Sequence, residues 1–318
     1  MRAAIIRSFG GPEAIELLST AIPEIRPDQV LVRNHAAGVN PVDTYIRAGQ
    51  YAKLPQLPYS PGKDGAGVVE KIGANVKNVK VGDRVWYGCE ANSTAQYTAV
   101  NRPFQLPDGI SFAEGASLGV PYLTAYRALF FLAGAKAGDV ILVHGASGGV
   151  GSALMQLAAW KGIDAVGTAG SPAGIEFVKT LGAQKVYNHS KKDYVVELKT
   201  DYPNGFNYIF EMAAHTNLNT DLGLLAPHGK VAVIGNRAET TINARQLMAT
   251  EGAVFGVALG FSTEAQLSDF GASIAAFLKE TSSRPVINKE YPIEEVGDAH
   301  KDILNNNGAR GNLVIRID

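Results

Sequence analysis

The sequence predicts an α/β protein in two parts, a small all-β barrel or sandwich followed by a doubly wound parallel sheet. Three observations carry this. The first third of the chain is a series of short runs rich in valine, isoleucine and aromatic residues, separated by Pro, Gly, Asn and Asp. Beyond residue 140 strand-like and helix-like segments alternate, which means a parallel sheet with helices on both faces. At the junction stands Val140-Ile-Leu-Val-His-Gly-Ala-Ser-Gly-Gly-Val-Gly151, which reads as a strand, a glycine turn and a helix start.

In chain order, Arg2 to Phe9, Ile15 to Leu18, Gln29 to His35, Gly67 to Ile72, Arg84 to Gly88 and Ala95 to Val100 are expected as strands. Ala113 to Phe131 has a helical texture. Val140 to Val143 is a buried strand, and Val150, Leu154, Leu157 and Ala158 give the next segment an apolar helical face that Gly162 closes. Ile163 to Thr168 follows as a second strand. Ser171 then suits an N-cap and Pro172 the first position of a helix over Ala173 to Leu181. Further strands are expected at Lys185 to Asn188, Tyr208 to Phe210, Val231 to Ile234 and Val254 to Leu259, with helices near Tyr194 to Lys199 and Leu218 to Leu225. Phe270 to Lys279 and Ile293 to Asn305 read as amphipathic helices and Leu313 to Ile317 as a last strand. The pattern implies a β-rich first third followed by an alternating α/β region.

The glycine turn departs from G-x-G-x-x-G, because Ala146 stands where the first glycine would be, ahead of Gly148 and Gly151. Its setting between strand and helix is what such a turn needs to aim bare N–H groups and a helix N-terminus at a pyrophosphate.

Composition excludes several classes. Of 318 residues 46% are hydrophobic and 19% charged, as in an ordinary soluble globular protein. Twenty-nine Lys and Arg against 30 Asp and Glu leave a net charge of −1, which does not favour nucleic acid or an anionic membrane. No apolar run is long enough to span a bilayer and no signal-peptide pattern opens the chain. A single cysteine, Cys89, excludes a disulfide framework and a cysteine-rich zinc site, and points to the reducing cytoplasm.

Several segments together carry a resemblance. They are Gly38-Val-Asn-Pro-Val-Asp-Thr-Tyr-Ile-Arg47, Leu57-Pro-Tyr-Ser-Pro-Gly62, Asp64-Gly-Ala-Gly-Val-Val-Glu70, Val143 to Gly151, Gly167-Thr-Ala-Gly170, Tyr187-Asn-His189, Val233-Ile-Gly-Asn-Arg237 and Tyr291-Pro-Ile-Glu-Glu-Val-Gly-Asp-Ala-His300. In this order the chain resembles the medium-chain dehydrogenase/reductase superfamily, and within it the zeta-crystallin type of NADPH:quinone oxidoreductase. The resemblance implies a Rossmann doubly wound parallel sheet domain over 123–265 inserted into a chaperonin-10-like β-barrel domain over 1–122, to which 266–318 returns, with the active cleft at their junction.

Zinc-dependent alcohol dehydrogenases share that fold and hold their metal with an early-loop cysteine, a histidine in a Gly-His-Glu turn and a later cysteine. Here the early position is Asn40, the turn reads Gly62-Lys63-Asp64, and Cys89 has no cysteine or histidine neighbour. The three protein ligands of a catalytic zinc are not expected, and no metal site is assigned.

The resemblance implies that Ser147, Gly148, Gly149 and Val150 wrap the pyrophosphate. The end of the second strand, Thr168-Ala-Gly-Ser171, lacks the acid that holds an NAD ribose, so Gly170, Ser171 and His189, with Lys191 and Lys192 nearby, suit the 2′-phosphate of NADPH. Bacterial relatives add charge at positions occupied here by Gly174 and Asn307. By the same resemblance Asn217, Ile234, Gly235, Asn236 and Arg237 line the adenosine and nicotinamide groove. Val257, Ala258 and Leu259 are expected in a buried strand whose backbone holds the carboxamide.

The resemblance also places Tyr45, Tyr51 and Tyr59 in a loop region facing the nicotinamide, an aromatic slot suited to a flat quinone. Tyr45 and Tyr51 are the candidate catalytic residues, Tyr45 doubling as a cofactor contact, and Asn40 orients ring or substrate. His35, His144, His215, His228 and His300 show no metal-ligand spacing and read as structural or surface residues.

Two readings compete with quinone reduction. One is NADPH-dependent reduction of an alkenal or enone double bond, which needs the same donor and a similar slot. The other is a crystallin-type structural role or RNA binding, for which neutral charge and the absence of an RNA signature give no support. A homodimer or homotetramer is implied by the resemblance alone.

Overall fold

Strands form early in the chain where β-branched residues recur at every second position, as in Val30-Leu-Val, whose side chains are buried. The computed structural model describes residues 1–305 and 310–317. The first of its two units comprises Met1–Leu123 with residues 264–305 and 311–317; the second comprises Thr124–Thr263.

In the first unit β1 (Arg2–Ile6) and β2 (Ile15–Ser19) form an antiparallel pair. β3 (Val30–Val39), β4 (Asp64–Ile72), β5 (Arg84–Tyr87), β6 (Tyr97–Val100) and the two-residue β7 (Phe104–Gln105) follow. β3 is the hub: it pairs antiparallel with β4 along most of its length and with β6 over Val30 to Arg33. Val30, Val32, Val69, Val79, Val85, Tyr87 and Val100 make one core beneath it. A short helix, Pro41–Arg47, leaves the end of β3, an element not foreseen between two strands.

The expected helix over 113–131 is instead broken into Phe112–Ala116, Val120–Tyr126 and a wider, π-type turn over Arg127–Leu132. The first break has a clear cause. The Asp64 carboxylate accepts the Val120 N–H at 2.7 Å and occupies the space that a Cβ at Gly119 would need, so the backbone restarts there under an aspartate cap.

The second unit holds β8 (Val140–Val143), β9 (Asp164–Ala169), β10 (Lys185–Asn188), β11 (Phe206–Glu211), β12 (Leu225–Val233) and β13 (Ala253–Gly256). All pair in parallel, in the order β10-β9-β8-β11-β12-β13. The order reverses between β8 and β11, the switch point where open parallel sheets take ligands at their carboxyl ends. Leu142, Val166, Tyr187, Ile209 and Val231 from successive strands pack on Leu198, Leu218 and Leu222 of covering helical segments.

β13 stops at Gly256, short of the strand expected to reach Leu259. Val257 still donates its N–H to Val233 O at 2.8 Å, but Leu259–Phe261 turns as a 3₁₀ segment. Val257 and Leu259 are therefore half-buried and Ala258 exposed, rather than core residues of a strand.

The chain then returns to the first unit through the Glu264–Glu280 helix, β14 (Ile287–Pro292) and β15 (Asn312–Arg316), completing the order β14-β15-β3-β4-β5-β7. β14 escaped the sequence pattern because Asn288, Lys289 and Glu290 are exposed and interrupt any apolar alternation. Asn307 lies outside the described residues.

Candidate cofactor and active site

The glycine turn follows β8. Gly145 adopts φ +59°, a left-handed conformation that a side chain strains, and Ala146 N–H bonds Thr168 O at 2.9 Å, stitching the turn to β9. Gly148 caps the Gly149–Trp160 helix. A Cβ at Gly151 would collide with Gly145 O and lie 2.8 Å from Ala146 Cα, so only glycine lets the helix start this close to the turn. Gly148 differs: a Cβ there would meet Gly145 O at 3.5 Å, an ordinary contact, so packing alone does not demand glycine. The first-turn N–H groups of this helix have no intrahelical partners. With the Ser147 hydroxyl beside them, they are hydrogen-bond donors grouped at one helix start, a set that suits an anion. Gly162, at φ +67°, ends the helix in the left-handed conformation read from the sequence.

At the end of β9, Ser171 caps the Pro172–Thr180 helix, its Oγ accepting Gly174 N–H at 3.1 Å. A Cβ placed on Gly174 would have Ser171 Oγ at 3.2 Å and Ser147 Oγ at 3.5 Å, so both hydroxyls border one small space. His189 rises from the end of β10, exposed, with its Nε2 2.7 Å from where a Gly170 Cβ would stand. Ser190 Oγ donates to Gly170 O at 3.0 Å, and Lys191 and Lys192 are exposed beside it. Serine hydroxyls, a helix N-terminus and basic side chains, with no acid among Thr168 to Ser171, are a donor set for a phosphate.

Beneath this surface lies a cluster that sequence reasoning missed. His144, at the end of β8, has its Nε2 3.0 Å from Asp221 Oδ1 and 3.7 Å from Glu211 Oε2, and both carboxylates are fully buried. Burial alone would lower the His144 pKa, but the Asp221 hydrogen bond and the charges of Asp221 and Glu211 outweigh it and raise it. Burial, with Asp221 beside it, pushes Glu211 up to about 7 against the pull of His144. The signal was available only in combination: His144 and Glu211 both end strands that become neighbours at the switch point, 67 residues apart in number.

Glu211 also organises the ends of β11 and β12. Its Oε1 accepts the Ala213 N–H and, at 3.3 Å, the Asn217 amide, while its backbone carbonyl accepts Ile234 N–H and Gly235 N–H at 2.9 and 3.1 Å. Gly235 passes so close to Met212 O that a Cβ could not be placed there. Asn236 and Arg237 are exposed beyond it, and the Arg237 N–H is received by His215 Nδ1 at 3.3 Å. These residues gather at the carboxyl edge of the sheet with the glycine turn.

In the first unit, Asn40 ends β3 and gives its amide Nδ2 to Asp64 Oδ2 at 2.7 Å, while its backbone N–H meets Asp43 Oδ2 at 2.9 Å. Burial raises Asp43 to about 6 and Asp64 to about 7. Burial also pushes the Cys89 thiol far up, with the Asp64 charge adding to it. A catalytic zinc does not fit this set: the Asn40 amide is engaged with Asp64, a lysine, Lys63, stands where the turn would supply a histidine, and Cys89 is the one thiol of the chain.

Tyr45 is not on a loop but on the Pro41–Arg47 helix, half-buried. Tyr51 is 43% exposed. Tyr59 is built into the fold: its backbone bridges Ile6, its ring lies 6.5 Å from Phe9, and its hydroxyl is buried, pushing its pKa up to about 12. Three histidines read as structural or surface residues are so placed. His35 stacks on Phe112 at 4.5 Å, His228 is exposed beside Glu251, and buried His300 accepts from Arg47 at 3.1 Å, its pKa lowered to about 3 by burial and that charge.

Comparison with known proteins agrees with both units. The alcohol dehydrogenase GroES-like domain profile matches residues 26–126, and the zinc-binding dehydrogenase profile matches 149–273. The chain is 43% identical to the quinone oxidoreductase of Rattus norvegicus, covering 100% of this chain and 98% of the relative, and 42% identical to that of Homo sapiens with the same coverage. Among solved structures, the Escherichia coli quinone oxidoreductase complexed with NADPH superposes with a TM-score of 0.90 at 26% identity, covering 100% of both chains.

Proposed function

This chain belongs to the quinone oxidoreductase family of the medium-chain dehydrogenases/reductases, and from that premise we propose that it passes reducing equivalents from NADPH to quinones without zinc. The observation that carries the reading is the donor set around Gly170, Ser171 and His189, which has no acid to repel a phosphate.

Ser147, Gly148, Gly149 and Val150 would hold the pyrophosphate, Ser171 and His189 the 2′-phosphate, and Asn217 with Ile234 to Arg237 the remaining groove. Val257 to Leu259 would add backbone contacts. When bound, NADPH supplies the reducing equivalents. The protein's part is to bind, orient and exclude. Asn40 is held rigid by Asp64, and Tyr45 and Tyr51 are the phenols available to a substrate. The reduced quinone oxygens draw protons from water, so no side chain is required as a general acid.

We also place the enzyme in the cytoplasm, which suits its one free cysteine, and assign it a homo-oligomer. β13 borders its sheet, pairing with β12 alone among the described residues, and exposed Met248 and Phe261 lie nearby in sequence. No helix among the described residues is long and apolar enough to cross a membrane.

The test is a side-by-side panel of a quinone and an enone with NADPH and NADH. Quinone turnover should dominate, and NADPH should bind tighter by roughly tenfold to a few hundredfold, the sum of a helix N-terminus and a charge-assisted bond. Equal dissociation constants for the two cofactors, or turnover confined to the enone, would reject it.

A further inference from the structure

The buried cluster beneath the phosphate cradle has a geometry that decides which nitrogen of His189 carries a hydrogen. Three groups crowd Thr168 Oγ1, which is itself fully buried: Gly145 N at 3.2 Å, His144 Nδ1 at 3.3 Å and His189 Nδ1 at 3.1 Å. A hydroxyl has one hydrogen to donate and two lone pairs to accept with. The Gly145 N–H can only donate and takes one lone pair.

His144 decides the rest. Its Nε2 faces Asp221 and Glu211, so it carries a proton toward them. Two buried carboxylates against one imidazole also favour the doubly protonated ring, whose Nδ1–H then takes the second lone pair of Thr168. The hydroxyl hydrogen remains, and His189 Nδ1 is the acceptor left for it. A neutral imidazole with Nδ1 as acceptor must carry its hydrogen on Nε2. That nitrogen is the one standing over Gly170, on the exposed side of the ring.

We propose that His144 and Thr168 are positioning residues for cofactor selectivity, holding His189 as the Nε2–H tautomer so that a neutral N–H donor points past Gly170 at the 2′-phosphate. The inference rests on the NADPH reading and gives it a mechanism.

The same valence count disfavours a charged His189, because a second N–H on Nδ1 would find no lone pair on Thr168. Partial burial and the His144 charge act in the same direction, lowering the His189 pKa. Were His144 to lose its proton, the Thr168 hydroxyl could turn to His144 and His189 would offer the phosphate a lone pair. The groups that set the His144 charge are Asp221 and Glu211, with Tyr194 facing both carboxylates and His189 across Thr168.

Two measurements test this on the full-length protein. Nitrogen NMR of ¹⁵N-histidine protein without cofactor should show His189 protonated at Nε2 and accepting at Nδ1. Dissociation constants for NADPH and NADH should then be compared in wild type, Thr168→Ser, Thr168→Val and His189→Ala. Thr168→Ser should keep the wild-type NADPH preference. Thr168→Val should lose about fivefold of it or more, the worth of one hydrogen bond, with NADH affinity nearly unchanged. An Nδ1–H tautomer in the wild type, or Thr168→Val with an unaltered preference where His189→Ala reduces it, overturns the relay alone. A His189→Ala variant with the full preference overturns the phosphate site itself and the relay with it.

Discussion

Asp64 shows how one buried group can carry a pH dependence. It is fully buried, accepts from the Asn40 amide and the Val120 N–H through Oδ2, and leaves Oδ1 without a hydrogen-bond partner. Burial, then the charge of Asp43, raises its pKa from 3.8 to about 7. The folded state therefore holds a proton that the unfolded chain has released. The associated stability is full below pH 3.8 and is lost as pH rises through about 7. Asp64→Asn keeps an oxygen for both donors and cannot ionise. Its stability relative to wild type should improve between pH 5 and pH 8, by about 2–4 kcal/mol for a shift of this size. Urea unfolding at the two pH values measures it, and an unchanged difference would refute it. No sequence pattern showed this residue's state, because an aspartate beside a glycine reads as a turn until three other segments are seen to enclose it.

At the scale of an element, the turn between β8 and its helix separates two uses of glycine. Gly151 is needed for packing, since any Cβ meets the backbone of Gly145 and Ala146. At Gly148 a Cβ would make only an ordinary 3.5 Å contact with Gly145 O, so packing does not require glycine there, and in the proposed site its bare backbone gives a pyrophosphate access. Gly151→Ala should destabilise the protein by about 1–3 kcal/mol, the range for overpacking. Gly148→Ala should leave the melting temperature nearly unchanged while weakening NADPH and NADH alike, because the pyrophosphate is common to both. Thermal unfolding with cofactor titration distinguishes the two, and a Gly148→Ala protein that binds both cofactors normally would remove the turn from the site. Strand, turn and helix were all legible here because strand, cap and left-handed terminus are local properties of the chain. The segments that misled were those governed from a distance. The helix over 113–131 is broken by Asp64, 56 residues before Val120, and β14 is a strand only because β15 lies beside it.

At the scale of the whole molecule, the open β13 edge bears on assembly. A strand edge that is unpaired among the described residues, with exposed Met248 and Phe261, at 78% and 84% exposure, is a surface that another copy can cover. Sedimentation velocity should find a dimer or tetramer, and Met248→Lys with Phe261→Lys should shift it toward the monomer. A monomeric wild type at micromolar concentration would defeat the assignment.

Taken alone, the amino-acid order determined the α/β class, the glycine turn, the Ser171 cap and an acid-free end to β9, because each depends on residues adjacent in the chain. Its ordered motifs also carried the family resemblance. Only the tertiary structure decided that Thr168 stands between His144 and His189, that Asp221 and Glu211 lie behind them, and that Asp64 serves as a distant cap. Those arrangements depend on strand order and on burial. A hydrogen-bond count or a shifted pKa exists only once the chain has excluded water from the groups concerned.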